Sequence, residues 1–297
     1  IQVSDPEQFF PEATDCDALL NTYAGPITAA IMAQMPSCRV ISRYGIGVDT
    51  IDLDAATEAG IIVTNNPTYC IEEVAEHTIA MLMAAVRKVA FYDRLVRAGR
   101  WGVPPGKPIF RIAGSTCGLV GFGNIARRVA KAAVGLDMRV LFSDPFVEAG
   151  QFEAPGEKVE LSQLLGESDF VCVHAPLLPQ TRGMIGADQF AQMKDTAVIV
   201  NCSRGPIIDT DALVNALDES AIAGCALDTT DPEPLTDDHP LRDRENVIIN
   251  PHVAWYSERA MAGLQAGAPG EICRVLRGEW PVNVVNKAVK DNNRAGI

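Results

Sequence analysis

The sequence predicts an α/β protein in which a doubly wound parallel sheet is inserted into a smaller α/β domain. Three observations carry this expectation. Between about residues 116 and 250, six short apolar runs alternate with helical stretches: CGLVGFG, RVLFSD, DFVCVHAP, AVIVNCS, AGCALD and NVIIN. Continuous apolar strands joined through helices belong to a parallel sheet covered on both faces, and six in this order fit a Rossmann-type arrangement. A smaller set, DALLNTY, RVISRYG and GIIVTN, precedes them and predicts a flavodoxin-like domain. Helical stretches flank the larger block on both sides, so the chain can leave the first domain and return to it.

The outgoing stretch places Ile71, Val74, Ala75, Thr78, Ile79, Leu82, Met83 and Val86 at helical spacing, which predicts one long helix from Ile71 to about Arg97. The loop VPPGKP (Val103 to Pro108) reads as a structural turn. The returning helix is expected from Ser257 to Leu276, after which PVNVVN rejoins the first domain. The expected division is 1–88 with 264–297 for the substrate domain and 89–263 for the dinucleotide-binding domain, with the active site in the cleft between them.

A chain of 297 residues is long enough for two cores. With 47% hydrophobic and 21% charged residues it has the balance of a soluble enzyme. A formal net charge of −13 repels nucleic acid and anionic membranes, and no Lys/Arg cluster offsets it. The start, IQVSDPEQFF, lacks the basic and apolar regions of a signal peptide, and no apolar run is long enough to span a membrane. Cys16, Cys38, Cys70, Cys117, Cys172, Cys202, Cys225 and Cys273 form no CxxC pair. The expectation is a cytoplasmic protein with reduced thiols and no metal site.

Gly121-Phe122-Gly123-Asn124-Ile125-Ala126 lies between the strand TCGLV and the helix IARRVAKAAVG. This is G-x-G-x-x-A in a strand–turn–helix setting. The first Gly permits the turn, the second lets backbone approach a pyrophosphate, and Ala126 permits close helix–strand packing. Asp144 ends the next strand, about 20 residues beyond Gly123, where a carboxylate binds the adenosine ribose. It would repel a 2′-phosphate, so the expected cofactor is NAD. The alternative for Asp144 is a solvated turn residue ahead of Pro145.

Three further segments leave the carboxyl ends of expected strands, where ligands of open α/β sheets bind. Asn201-Cys202-Ser203-Arg204-Gly205 follows AVIV, Asp228 and Glu233 follow GCAL, and Pro251-His252-Val253-Ala254-Trp255 follows NVIIN. Singly, Arg204 reads equally as a surface arginine, Glu233 as a loop acid and His252 as a strand-end histidine.

Together with RYGIGVDTID, GIIVTNNP, EEVAEHTIAMLM, HAPL with PQT, NCSRGPIID, ALDTTDPEP and PHVAW, they make the chain resemble the D-isomer-specific 2-hydroxyacid dehydrogenases. The resemblance runs from about Asp17 to PVNVVN and includes the intervals from Arg204 to Glu233 and from Glu233 to His252. RYGIGVD and PHVAWYSE look nearest to the C-terminal binding protein branch.

The resemblance implies an NAD-dependent enzyme interconverting a 2-hydroxy and a 2-oxo acid. In it Arg204 holds the substrate carboxylate, His252 exchanges the proton, and Glu233 orients His252. It further implies a second carboxylate contact from Arg43 and substrate contacts from the backbone of Ile46 and Gly47. Trp255 becomes an apolar wall favouring uncharged, extended side chains, with a packing tryptophan as its alternative. Asp228 holds the nicotinamide carboxamide. Ala175, Pro176, Thr181, Cys202, Ser203 and Ala254 line the cofactor. A homodimer is implied as well. In the family a strand and helix precede DALL, and about 25–30 residues of ordinary element length are absent here, so a truncated or reduced substrate domain is expected. The competing function is an NAD(H)-sensing regulatory protein. A formate dehydrogenase is disfavoured, because that branch pairs its His with Gln where this chain has Glu233.

Overall fold

The computed structural model describes residues 14–22 and 25–297. The IQVSDPEQFF start, read above for targeting signals, and Tyr23 of the DALLNTY strand lie outside the described residues. Contacts group Ile71–Trp255 into one compact unit, and the segments up to Cys70 and from Tyr256 into another. Both changeovers precede the 88/89 and 263/264 positions expected from sequence. The physical reason at the first is that the helix beginning at Ile71 packs on the strands of the larger unit.

In the smaller unit, β1 (Ala18–Asn21), β2 (Val40–Arg43) and β3 (Ile62–Thr64) are parallel and adjacent in that order. Short helices α1 (Ala29–Met32) and α2 (Leu53–Glu58) connect them. Leu19, Met32, Met35, Ile41 and Ile61 share its core. Asp52 caps α2 by accepting the Ala55 N–H at 2.9 Å. Among the described residues this sheet thus has three parallel strands in chain order.

The larger unit opens with α3 (Ile71–Val86) and α4 (Val89–Arg97). The single helix expected from Ile71 to Arg97 is therefore two. Lys88 sits at φ 57, a left-handed conformation that costs a non-glycine residue roughly 1–2 kcal/mol. The turn still leaves Phe91 and Leu95 of α4 buried. Neither Gly nor Pro marks the break, so the sequence carries no sign of it.

The sheet then takes β4 (Thr116–Val120), β5 (Arg139–Ser143), β6 (Glu157–Lys158), β7 (Phe170–Val173), β8 (Val198–Asn201), β9 (Gly224–Leu227) and β10 (Val247–Ile249). All are parallel, in the order β10-β9-β8-β7-β4-β5-β6. The six expected strands are present. The seventh, β6, is a two-residue edge strand of charged residues, too short and polar to show a strand pattern. Helices α5 (Asn124–Gly135), α6 (Leu161–Glu167), α7 (Ala187–Phe190) and α8 (Thr210–Asp218) run between strands. Strand order reverses between β4 and β7, the switch point at which open α/β sheets bind ligands.

The chain returns through α9 (Glu258–Leu276), capped by Ser257, whose hydroxyl accepts the Ala260 N–H at 2.9 Å. In the smaller unit Ser42 donates to the Ala268 carbonyl at 2.9 Å. The tail beyond α9 pairs antiparallel with β3 through Thr64 and Val284. Asn286 accepts the Val63 N–H at 2.8 Å and donates to the Ile61 carbonyl at 2.9 Å. No helix among the described residues is long and apolar enough to cross a membrane.

Candidate active site

The turn after β4 is built around two glycines with different duties. Gly121 has φ 88, and a Cβ on it would lie 2.8 Å from the Ala175 nitrogen, so a side chain is excluded by conformation and by space. Gly123 caps α5, and a Cβ there would meet nothing within 4 Å. Open space therefore faces the first N–H groups of a 12-residue helix, the setting that binds a phosphate. Asn124 is exposed, Ile125 half-buried, and Ala126 fully buried against the sheet. A dinucleotide pyrophosphate fits this cradle.

Phe122 is buried, with its ring stacked on Phe142 at 3.8 Å, so it anchors the turn and only its backbone reaches outward. Its N–H donates to Asp144 Oδ2 at 2.8 Å, while Asp144 Oδ1 accepts the Phe146 N–H at 2.8 Å. Each carboxylate oxygen retains acceptor capacity for a ribose hydroxyl. The remaining expected cofactor residues hold the loops together. Ser203 donates to the Ala175 carbonyl. Thr181 donates to the Pro176 carbonyl at 2.6 Å and accepts the Leu178 N–H at 2.8 Å. Thr181 thus folds its own loop rather than extending from it. The Cys202 thiol points inward to Met81 Sδ at 3.7 Å, and burial pushes it up to about 12.

Strands β8, β9 and β10 are neighbours, so the loops carrying Arg204, Asp228 with Glu233, and His252 emerge side by side. Arg204 is half-buried, and its Nη1 donates to the Ser203 carbonyl at 2.8 Å. Asn201 clamps this loop, accepting the Ser203 N–H and donating to the Arg204 carbonyl, both at 2.9 Å. A Cβ on Gly205 would lie 2.0 Å from the Thr230 carbonyl oxygen, so the Arg204 loop and the turn after β9 touch backbone to backbone.

His252 Nδ1 lies 2.7 Å from Glu233 Oε1, the expected pairing. The side chains are 25% and 42% exposed, so the pair opens to solvent. Nδ1, rather than Nε2, is therefore the ring nitrogen that faces Glu233. His252 has φ 52, a conformation of order 1–3 kcal/mol above the usual one. Asp228 holds it there. The His252 N–H donates to the Asp228 carbonyl at 2.8 Å, and the N–H groups of Val253 and Ala254 donate to Oδ1 and Oδ2 at 2.9 and 3.0 Å. Both Asp228 carboxylate oxygens thus face the loop, Ala254 meeting one of them through its backbone N–H, and each oxygen retains acceptor capacity. Trp255, at the end of this segment, is half-buried.

In the smaller unit Arg43 is 8% exposed. Its Nε donates to the Gly47 carbonyl at 2.9 Å, and its Nη1 to the carbonyls of Asn21, Thr22 and Tyr44. Through Nε and Nη1, Arg43 thus clamps the loop that carries Ile46 and Gly47. The Ile46 carbonyl accepts from Asn65 at 2.7 Å, so the Ile46–Gly47 loop is held at both carbonyls. Sequence reasoning missed Asn201, Gly205 and the helix residue His77, whose Nε2 lies 3.6 Å from Asp228 Oδ1. An Asx-type signal ahead of the loop could have revealed Asn201; the other two depend on tertiary proximity.

Comparison with known proteins agrees with this geometry. The family model "D-isomer specific 2-hydroxyacid dehydrogenase, NAD binding domain" matches residues 79–254. A glyoxylate reductase of Korarchaeum cryptofilum is 41% identical over 279 residues, covering 93% of this chain and 84% of its own. A D-3-phosphoglycerate dehydrogenase of Methanocaldococcus jannaschii is 37% identical over 282 residues, covering 94% of this chain and 53% of its own. Among solved structures, a D-lactate dehydrogenase from Aquifex aeolicus complexed with NAD and lactic acid superimposes with a TM-score of 0.87 at 27% identity, over 99% of this chain and 91% of that one.

Proposed function

This chain belongs to the D-isomer-specific 2-hydroxyacid dehydrogenase family and is an NAD-dependent oxidoreductase of 2-hydroxy and 2-oxo acids, and from that premise we propose how its residues divide the work. The observation that carries the assignment is the 2.7 Å contact between His252 Nδ1 and Glu233 Oε1 beside the Arg204 loop. Arg204 holds the substrate carboxylate, since a guanidinium fork matches a planar carboxylate. Glu233 fixes the imidazole tautomer and stabilises the imidazolium, and His252 Nε2 gives its proton to the carbonyl oxygen in reduction and takes it back in oxidation. The chemistry supplied by bound NAD(H) is hydride transfer at C2. In the smaller unit the backbone of Ile46 and Gly47 meets the substrate, and Arg43 shapes that loop. Residues 14–70 and 256–297 form the substrate domain and 71–255 the cofactor domain. The Glu233–His252 pair and the enzymatic relatives favour catalysis over an NAD(H)-sensing regulatory role.

The substrate proposed is a small 2-oxo acid with an uncharged side chain, with Trp255 as the apolar wall of its pocket. Soaking the protein with NADH and a series of 2-oxo acids tests this. Rates should be highest for uncharged, extended side chains, and Trp255→Ala should remove an advantage of about 1–3 kcal/mol over glyoxylate. Equal losses on every substrate would make Trp255 a packing residue. Efficient turnover of a phosphorylated 2-oxo acid would refute the choice of substrate class.

Asp144 sets the cofactor preference. A phosphate dianion beside its carboxylate is expected to cost enough to favour NADH over NADPH by about tenfold or more in kcat/KM. Asp144→Ala should narrow that gap, and equal use of both cofactors by the native enzyme would contradict the role.

We also place the protein in the cytoplasm as a homodimer joined through its cofactor domains. Val89, Val96, Trp101, Val103 and Phe110 are exposed apolar side chains within 22 consecutive positions, with Trp101 91% exposed. Such a patch marks a protein contact. Sedimentation at micromolar concentration should report a dimer, and Trp101→Lys should shift it to monomer.

A further inference from the structure

Helix α3 lies against β8, β9 and β10, the strands from which all three reacting loops emerge. Two side chains one turn apart on the helix, His77 and Met81, meet those loops from below. Met81 contacts the Cys202 thiol at 3.7 Å, next to Arg204. His77 directs Nε2 to Asp228 Oδ1 at 3.6 Å. That nitrogen is buried and has no hydrogen-bond partner among the described residues, so the Asp228 carboxylate is what it faces.

Asp228 is 1% exposed. A carboxylate so far from water is stable only where donors and positive charge surround it. The Val253 and Ala254 N–H groups satisfy one lone pair on each oxygen, and they are the same groups that hold His252 at its positive φ. At 3.6 Å the His77 contact is longer than a hydrogen bond, so it acts through the ring dipole on the carboxylate. Turning the carboxylate would break both loop contacts together and release the strained residue.

We propose that His77 is a positioning residue that holds the Asp228 carboxylate in the orientation which fixes the backbone of the His252 loop. The aim of the imidazole thus depends on a side chain that touches neither substrate nor cofactor. The proposal rests on His252 as the proton-transfer group. It predicts that losing His77 slows the chemical step and leaves ligand binding almost intact, since the Arg204 loop is clamped by Asn201 and the Gly121–Gly123 turn is braced by Asp144.

The test compares His77→Leu with His77→Gln in the full-length enzyme, by steady-state kinetics and single-turnover NADH oxidation. His77→Leu should lower kcat about 10–100-fold, with KM for NADH and for the 2-oxo acid changed less than about twofold. His77→Gln, which keeps an N–H donor, should recover most of kcat. A kcat within about twofold of wild type in His77→Leu, a loss appearing mainly in KM, or equal impairment of the two variants would overturn the proposal. Should His77→Leu fail to fold, His77→Asn, whose amide is too short to reach Asp228, takes its place with the same criteria. His77→Ala would add nothing to this comparison, but His252→Ala is the necessary control. If it still turns over, the reading of the site has failed; if it is inactive and the His77 variants behave as wild type, the positioning role alone has failed.

Discussion

Arg204→Leu is expected to lower kcat/KM for 2-oxo acid reduction by about 10²–10³-fold, through loss of a charged, two-pronged contact to the substrate carboxylate. Removing one member of a hydrogen-bonded charge pair in a desolvated site costs about 2–5 kcal/mol, and each 1.4 kcal/mol is about tenfold. The effect should be confined to the side chain. The backbone at Arg204 is held by Asn201 on one side and by the Gly205–Thr230 contact on the other, and neither involves the guanidinium. Arg204→Lys keeps the charge and loses the fork, so it should fall between wild type and Arg204→Leu. Steady-state kinetics beside a thermal melt measure this. A loss below tenfold with an unchanged melt would remove Arg204 from the carboxylate.

His252→Ala should reduce kcat in both directions by about 10²–10⁴-fold, the usual contribution of a positioned acid–base group. The pH profiles of the native enzyme provide a second measure. Reduction consumes the protonated imidazole, so its kcat/KM should fall as pH rises; oxidation needs the neutral ring and should rise over the same interval. Glu233→Gln removes the carboxylate 2.7 Å from Nδ1 that orients the ring, so kcat should fall in both directions by about 10-fold or more. An unchanged kcat in Glu233→Gln would dissolve the pairing.

The strands and the site-bearing loops were legible in the sequence because apolar runs and glycine turns are local signals. The Gly121–Gly123 turn, Asp144 and the Glu233–His252 pair lie where strand ends were expected. The break at Lys88 was hidden, since neither Gly nor Pro marks its left-handed turn. Strand β6 was hidden because two charged residues at an edge have no periodicity. The use made of a functional group was the least legible feature. The Arg43 guanidinium meets backbone carbonyls, the Asp228 carboxylate meets loop N–H groups, and the Cys202 thiol turns inward. Residue type marked each as a site residue, and the partner it takes within the fold is set by tertiary surroundings.

The antiparallel seam between β3 and the tail also has a consequence for biosynthesis. Val63 and Asn286 are joined across 223 positions. A ribosome therefore delivers residues 71–255 complete while the β3 edge still lacks its partner. At about 5–20 residues per second that edge stays open for roughly 10–45 seconds. An unpaired parallel strand edge is a template for pairing with another nascent chain. Polysomes making this protein thus carry chains in which residues 71–255 are made while β3 still waits for its tail, and a message broken ahead of the Asn283 codon yields a product without the Val284 and Asn286 partners of that edge.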